Sequence, residues 1–340
     1  MVTKKVSQKN FLKYSRTIGM TTMRGRGFYF PVDSAMSSDG RIFVISRSSE
    51  IASSPDTIRV TVLNEAEEYF GIFGKGGDEP GAFRWPCGIA LDHSGNVYIT
   101  DEHHHRVSIF SNAGDFISHW GTYGADEGQL NGPSGIVFDE DDNILISDAK
   151  NHRIQKFSKN GTLIFSFGTF GNKSGELNLP WGIAVGPASE IYVADWGNDR
   201  IQKFSKDGEF LSDYASGDGK FTKPASIVVD SEGYIYVADW GNESIQILDS
   251  DGVFVQKLLG EATDSEWAKE YFDLNRDEAE VRELSNLQPK IEFFNDDPHE
   301  KSSHIEKLFW GPSALFLDSK ERLFVTETNR HRIQIFERNA

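Results

Sequence analysis

Asp148-Ala-Lys-Asn-His-Arg-Ile-Gln-Lys-Phe157 and Asp195-Trp-Gly-Asn-Asp-Arg-Ile-Gln-Lys-Phe204 share one phrase: an Asp, a four-residue loop, then Arg-Ile-Gln-Lys-Phe. Three looser copies are Asp101-Glu-His-His-His-Arg-Val-Ser-Ile-Phe110, Asp239-Trp-Gly-Asn-Glu-Ser-Ile-Gln-Ile-Leu248 and Glu327-Thr-Asn-Arg-His-Arg-Ile-Gln-Ile-Phe336. A unit of this size cannot bury its own apolar face. Its copies must stack, and stacking fixes the architecture.

Working outward from the phrase, a proline opens each unit: Pro31, Pro86, Pro133, Pro180, Pro224 and Pro312. Behind it comes a short apolar run such as Gly182-Ile-Ala-Val185, a turn, and a second run such as Tyr234-Ile-Tyr-Val-Ala238 that ends at the Asp. Arg-Ile-Gln-x-Phe is the third run. A Gly-containing turn and a more polar fourth run, such as Glu209-Phe-Leu-Ser-Asp-Tyr214, complete the unit. Short runs bounded by Gly, Asn and Asp are antiparallel strands joined by tight turns. Four strands in roughly 45 residues make a propeller blade. The sixth unit ends at Phe336 without a fourth strand, and the segment from Asn10 to Gly19 is a spare one. The reading is an all-β, six-bladed β-propeller, a single domain over residues 1–340, with the N-terminal strand closing the ring and removing two sheet edges.

At this point the repeat, Asp followed by Asn-His-Arg-Ile-Gln-Lys-Phe, resembles the NHL family over about residues 10–340. The resemblance implies the fold. It implies no single function, because NHL propellers include RNA-binding modules, protein-interaction scaffolds, sensor domains and a peptide-amidating lyase. That lyase holds zinc with histidines, some directly after the landmark proline. Here those positions are Val32, Cys87, Ser134, Trp181, Ala225 and Ser313, and none is His. Related six-bladed calcium lactonases use channel Glu, Asp and Asn, for which Glu102, Asn131 and Asn178 are the counterparts to consider. No ligand spacing marks a calcium or zinc site, and no cofactor is assigned.

Composition narrows the partners. Lys plus Arg number 35 and Asp plus Glu 52, a net charge of −17, which opposes nucleic-acid binding unless Arg24, Arg26, Arg84 and Lys223 gather into a local patch. The one cysteine permits no internal disulfide. No apolar run suits a membrane span or a secretory leader, so the expectation is a cytoplasmic protein with no membrane partner.

The register locates a site. Inner strands begin at the prolines and second strands end at the Asp, so both points lie around the channel mouth. Equivalent positions vary there while the scaffold does not. Arg47, Arg84 and Glu102 fall in blades one and two; Trp181, Trp196 and Trp240 fall in blades four and five; Trp85, Trp310 and Tyr29 lie in connecting segments. An aromatic wall facing a charged wall suits a small ligand with an apolar body and a polar head, although tryptophans also fill gaps between blades. The expected function is small-molecule binding at the mouth, with lyase, hydrolase or isomerase chemistry expected there. Glu102 is then base or metal ligand, Tyr29 an acid or hydrogen-bond donor, and Arg47 and Arg84 anion clamps, with Cys87 and Trp310 beside the ligand. The alternative is a non-enzymatic scaffold for a protein or peptide. Ser46 replaces the repeated Asp just before Arg47, which is either a ligand-facing change or a degenerate first blade. The repeated Asp is read as a loop anchor and the repeated Arg as a brace. His103, His104 and His105 point in different directions, and His105 aligns with His152 and His331 as a repeat position.

Residues 261–307 interrupt the last connection with 14 acidic and 6 basic residues, a net charge of −8. Asp264–Phe272 and Asp277–Leu284 read as helices. Trp267, Tyr271, Phe272, Phe293 and Phe294 argue for an ordered insertion, either a lid or a docking surface.

Overall fold

The computed structural model describes residues 11–48, 54–217, 219–287, 289–292 and 296–339. Six four-stranded antiparallel sheets form six blades. Blade three is typical: Pro133–Phe138, Ile144–Asp148, Arg153–Phe157 and Leu163–Phe167. Each landmark proline is the first residue of an inner strand and faces the Asp position, as in Pro133 opposite Asp148 and Pro180 opposite Asp195. Blade six takes its outer strand from the N-terminus, Leu12–Ile18, which pairs antiparallel with Arg332–Arg338.

Period-2 patterning drives the packing. Each second strand is buried on both faces, and one apolar core fills each of the six junctions between neighbouring blades. The polar repeat residues tie the scaffold. Asp195, fully buried, accepts the Asn178 backbone N–H (2.7 Å) and bonds from Arg200 Nε (2.8 Å), Asn198 (2.9 Å) and Gln202 (3.0 Å). Arg200 also reaches the Lys173 and Glu176 carbonyls of the connection entering its blade. Asp148 with Arg153 and Glu327 with Arg332 repeat the knot, so the anchoring role read from the repeat is what these carboxylates do.

The left-handed residue that ends each four-residue loop staples its blade to the next. His105 Nδ1 accepts Gly132 N–H (3.0 Å), His152 Nδ1 accepts Leu179 N–H (3.1 Å) and His331 Nδ1 accepts Phe30 N–H (2.8 Å). Asp199 and Glu243 do the same for Lys223 and Gly311. His105 is thus a repeat position. Among the described residues no three His, Cys, Asp or Glu side chains come together to hold a metal ion, and no helix is long and apolar enough to cross a membrane.

The insertion holds three helices: α1 (Glu266–Leu274), α2 (Arg276–Leu284) and α3 (Pro298–His304). The first two match the sequence reading to within two residues; α3, begun by Asp297 and Pro298, was not foreseen. Phe293 and Phe294 lie outside the described residues. An anchor for α1 comes from blade one. Elsewhere the turn before the fourth strand ends in a left-handed glycine, and a Cβ on Gly161 or Gly208 would meet Trp120 or Phe167 of the preceding blade at 2.6 or 2.7 Å. Blade one carries Glu67 there, at φ 60°. Its buried carboxylate accepts the backbone N–H groups of Gly19 (2.6 Å), Glu266 and Trp267, and its own carbonyl accepts the Trp267 indole N–H (2.6 Å). Trp267 is consequently buried in the junction core of blades six and one.

Candidate functional site

Two cavities share the central axis. The upper one, about 910 Å³, opens at the mouth; the lower, about 360 Å³, runs between the six inner strands. Val32, Cys87, Trp181, Ala225 and Ser313, all directly after landmark prolines, line both. They form the neck.

Of the residues singled out in the sequence, Arg47, Arg84, Cys87, Trp181, Trp196 and Trp240 line the upper cavity. The tryptophans stand in blades four and five and the arginines in blades one and two, as the register implied. Trp85 lines it too, but on the arginine side, where the Arg47 guanidinium lies 4.1 Å over its ring.

Glu102 stands outside the lining and behind Arg47. One oxygen accepts from Arg47 Nη2 (2.9 Å) and the other meets Lys150 Nζ (3.0 Å). Burial acts to raise the carboxyl, but Arg47 and Lys150 outweigh it and hold it below its ordinary value. Glu102 is therefore an ionised support for two cations rather than a free base, which differs from the base or metal-ligand role expected of it. Asn178 is itself committed to the Gly197 carbonyl (3.2 Å). Cys87 Sγ approaches Glu102 at 3.7 Å. Burial, with that carboxylate beside it, pushes the thiol up to about 12, which opposes a reactive thiolate despite nearby Arg47.

Tyr29 is also outside the lining, stacked on the His331 ring at 5.6 Å with nearly parallel planes. Trp310 stands next to α3, donating its indole N–H to His299 Nε2 (3.2 Å) beneath the Arg330 guanidinium. The other nitrogen of His299 meets Glu243, whose second oxygen is the blade staple. His299 also packs on Trp240. Through that contact the insertion reaches a residue of the cavity wall, and none of its described residues lines the space.

Sequence reasoning missed several groups. Phe30, Ser48 and Ile58 also line the cavity, with Thr328. Residues 49–53 of the longer first-blade loop lie outside the described residues. Lys150 and Lys223, the latter 5.0 Å over the Trp196 ring, add positive charge to the rim. Arg24, Arg26 and Arg84 each lie beside a carboxylate: Asp56, Glu270 and Asp78 respectively.

Below the neck, Asp33 is the one carboxylate among the described residues that line the channel. Its oxygens accept Ser34 N–H (2.7 Å) and Ile89 N–H (2.9 Å). Burial without a cation partner pushes it up to about 7. Gly88, Gly135, Gly182, Ser226 and Ala314 occupy its position in the other blades, and extending the register by one residue exposes the exception.

The comparisons match this geometry at the level of the fold. A family model described as the NHL repeat matches residues 83–110, 130–157 and 177–204. No curated protein matches the chain. Among solved structures, a catalytically inactive virginiamycin B lyase from Staphylococcus aureus with quinupristin superposes with a TM-score of 0.59 at 11% identity, covering 96% of this chain and 99% of that one. A streptogramin B lyase structure gives 0.55 at 13% identity, with 96% and 98% covered. A protein of unknown function from Bacteroides caccae gives 0.51 at 12%, with 67% and 81% covered.

Proposed function

We propose, from the premise that this chain is an NHL-repeat six-bladed β-propeller, that its channel mouth binds a small organic anion with a flat or apolar body. The observation that carries the reading is the composition of the upper cavity. Among the described residues its charged lining is Arg47 and Arg84, with no carboxylate, and its walls hold Trp85, Trp181, Trp196 and Trp240. Arg47 is held by Glu102 and by the Trp85 face, so the guanidinium is oriented before a ligand arrives. Lys150 and Lys223 at the rim bias the local field toward anions although the whole chain is acidic.

Binding is favoured over catalysis. Cys87, in the lining, is held as a thiol, and Glu102, behind it, is withdrawn into its ion pairs, so neither serves as an activated nucleophile or base. A concave, tryptophan-lined cavity also favours a small ligand over a flat protein-docking face. The lyase neighbours support a small-molecule role for this shape of ring; the reaction does not transfer at that identity.

Thermal shift and calorimetry with naphthalene-2-carboxylate, against naphthalene-2-methanol and acetate, test the reading. The aromatic carboxylate is expected to raise Tm where the two partial mimics do not. Arg47→Ala and Trp240→Ala are each expected to weaken it about ten-fold or more. Equal responses to carboxylate and alcohol, or no response to either, would sink the proposal.

A further inference from the structure

Among the described residues the insertion presents an exposed apolar face of its own, away from the cavity. Val281 and Leu284, neighbours at i and i+3 on α2, are 67% and 88% exposed, and Leu274 at the α1–α2 corner is 84% exposed. No residue of α2 is buried. A nine-residue helix is too short to persist in water by propensity alone. This one is held from behind, where Arg282 bonds Asp264 (2.6 Å) and Glu306 (2.5 Å). The outward side therefore stays apolar at its centre while its margins are acidic, with Asp273, Asp277, Glu280 and Glu283 exposed around it. Of the two arginines nearby, Arg282 is turned inward and Arg276 lies 3.4 Å from Asp273.

We propose that α2 is a docking surface for a basic amphipathic helix, a leucine-type seam flanked by Lys or Arg. Charge selects the occupant. A second copy of this chain would bring an equally acidic insertion against it, at −8 per copy, and an anionic membrane would be repelled for the same reason. A basic helix covers the apolar centre and neutralises the margins at once, the arrangement used in helix-on-helix recognition. The small area implies weak, salt-sensitive binding.

The test is fluorescence anisotropy of a labelled 15-residue Leu/Lys amphipathic peptide on the full chain. Three chains are compared: parent, V281S/L284S with every acid retained, and E280K/E283K with the seam retained, each checked by thermal melting. Micromolar binding is expected for the parent, weakened about ten-fold or more by either variant and by raising salt from about 50 to about 300 mM. If V281S/L284S binds like the parent, the peptide reads bulk charge and the docking surface is refuted; no binding by the parent refutes it outright. Sedimentation of the chain alone adds a third outcome, since self-association abolished by V281S/L284S would assign the face to a second copy instead.

Discussion

Asp33 and His331 are two titratable groups that the ring holds in their uncharged forms, and they pull stability in opposite directions with pH. Burial raises Asp33 from an ordinary value of 3.8 to about 7. Its ionisation is penalised in the fold, so the stability present below about pH 4 is lost as pH rises through 7. Blade five solves the same packing problem with Ser226, whose hydroxyl accepts Leu315 N–H at 3.1 Å. Asp33→Ser is therefore expected to gain roughly 1–3 kcal/mol at pH 8 and nothing at pH 4, read from urea midpoints. His331 is depressed by burial from 6.5 to about 4 while its Nδ1 accepts the Phe30 staple. Its contribution is complete above pH 6.5 and is lost as pH falls towards 4. His331→Asn, which keeps an acceptor but cannot titrate, should flatten the parent's loss of stability between pH 6.5 and 4 in the same assay. The repeat made one of these legible, since His331 aligns with His105 and His152. Asp33 was hidden because it lies one residue past the variable position that follows each proline, where the other blades carry Gly, Ser or Ala. At the mouth, identity and register placed the tryptophans and arginines, whereas the direction of Glu102 depended on Lys150, a side chain from the next blade that no alignment of equivalent positions brings forward.

At the level of elements, the strands were readable because each is a short apolar run whose period, turn and partner recur in every blade. The insertion has no second copy, so its helices had to be read from capping and charge alone. That sufficed for α1 and α2 and failed for the seven-residue α3. It could not reveal that Glu67, in place of a turn glycine, grips the start of α1. Replacing Trp267 by Ala is expected to cost about 3–5 kcal/mol, since a fully buried indole leaves both a cavity and an unpaired Glu67 carbonyl. Chemical denaturation measures the cost, and proteolysis should cut first within residues 261–307. His299→Ala should spare global stability and free α3, giving earlier cleavage near residue 299 and a changed Trp240 emission, because His299 lies between Trp240 and Trp310.

Across the whole molecule, the six junction cores and their staples make each blade depend on two neighbours, so the ring is expected to melt as one unit. Calorimetry of the parent should give a single transition. Removing residues 1–18 takes Leu12 and Ile18 out of two junction cores and bares the outer edge of blade six. That variant should melt earlier and elute as larger species through edge pairing, checked by size exclusion. The same pairing has a consequence in time. Leu12 meets Arg338, so the earliest-made strand of the ring pairs with its latest-made one. Five blades can assemble behind it while a strand that contributes Leu12 and Ile18 to two junction cores waits for its partner through the synthesis of more than three hundred residues. The growing ring therefore keeps this pairing open for longest, and it closes only once Arg332–Arg338 has been made.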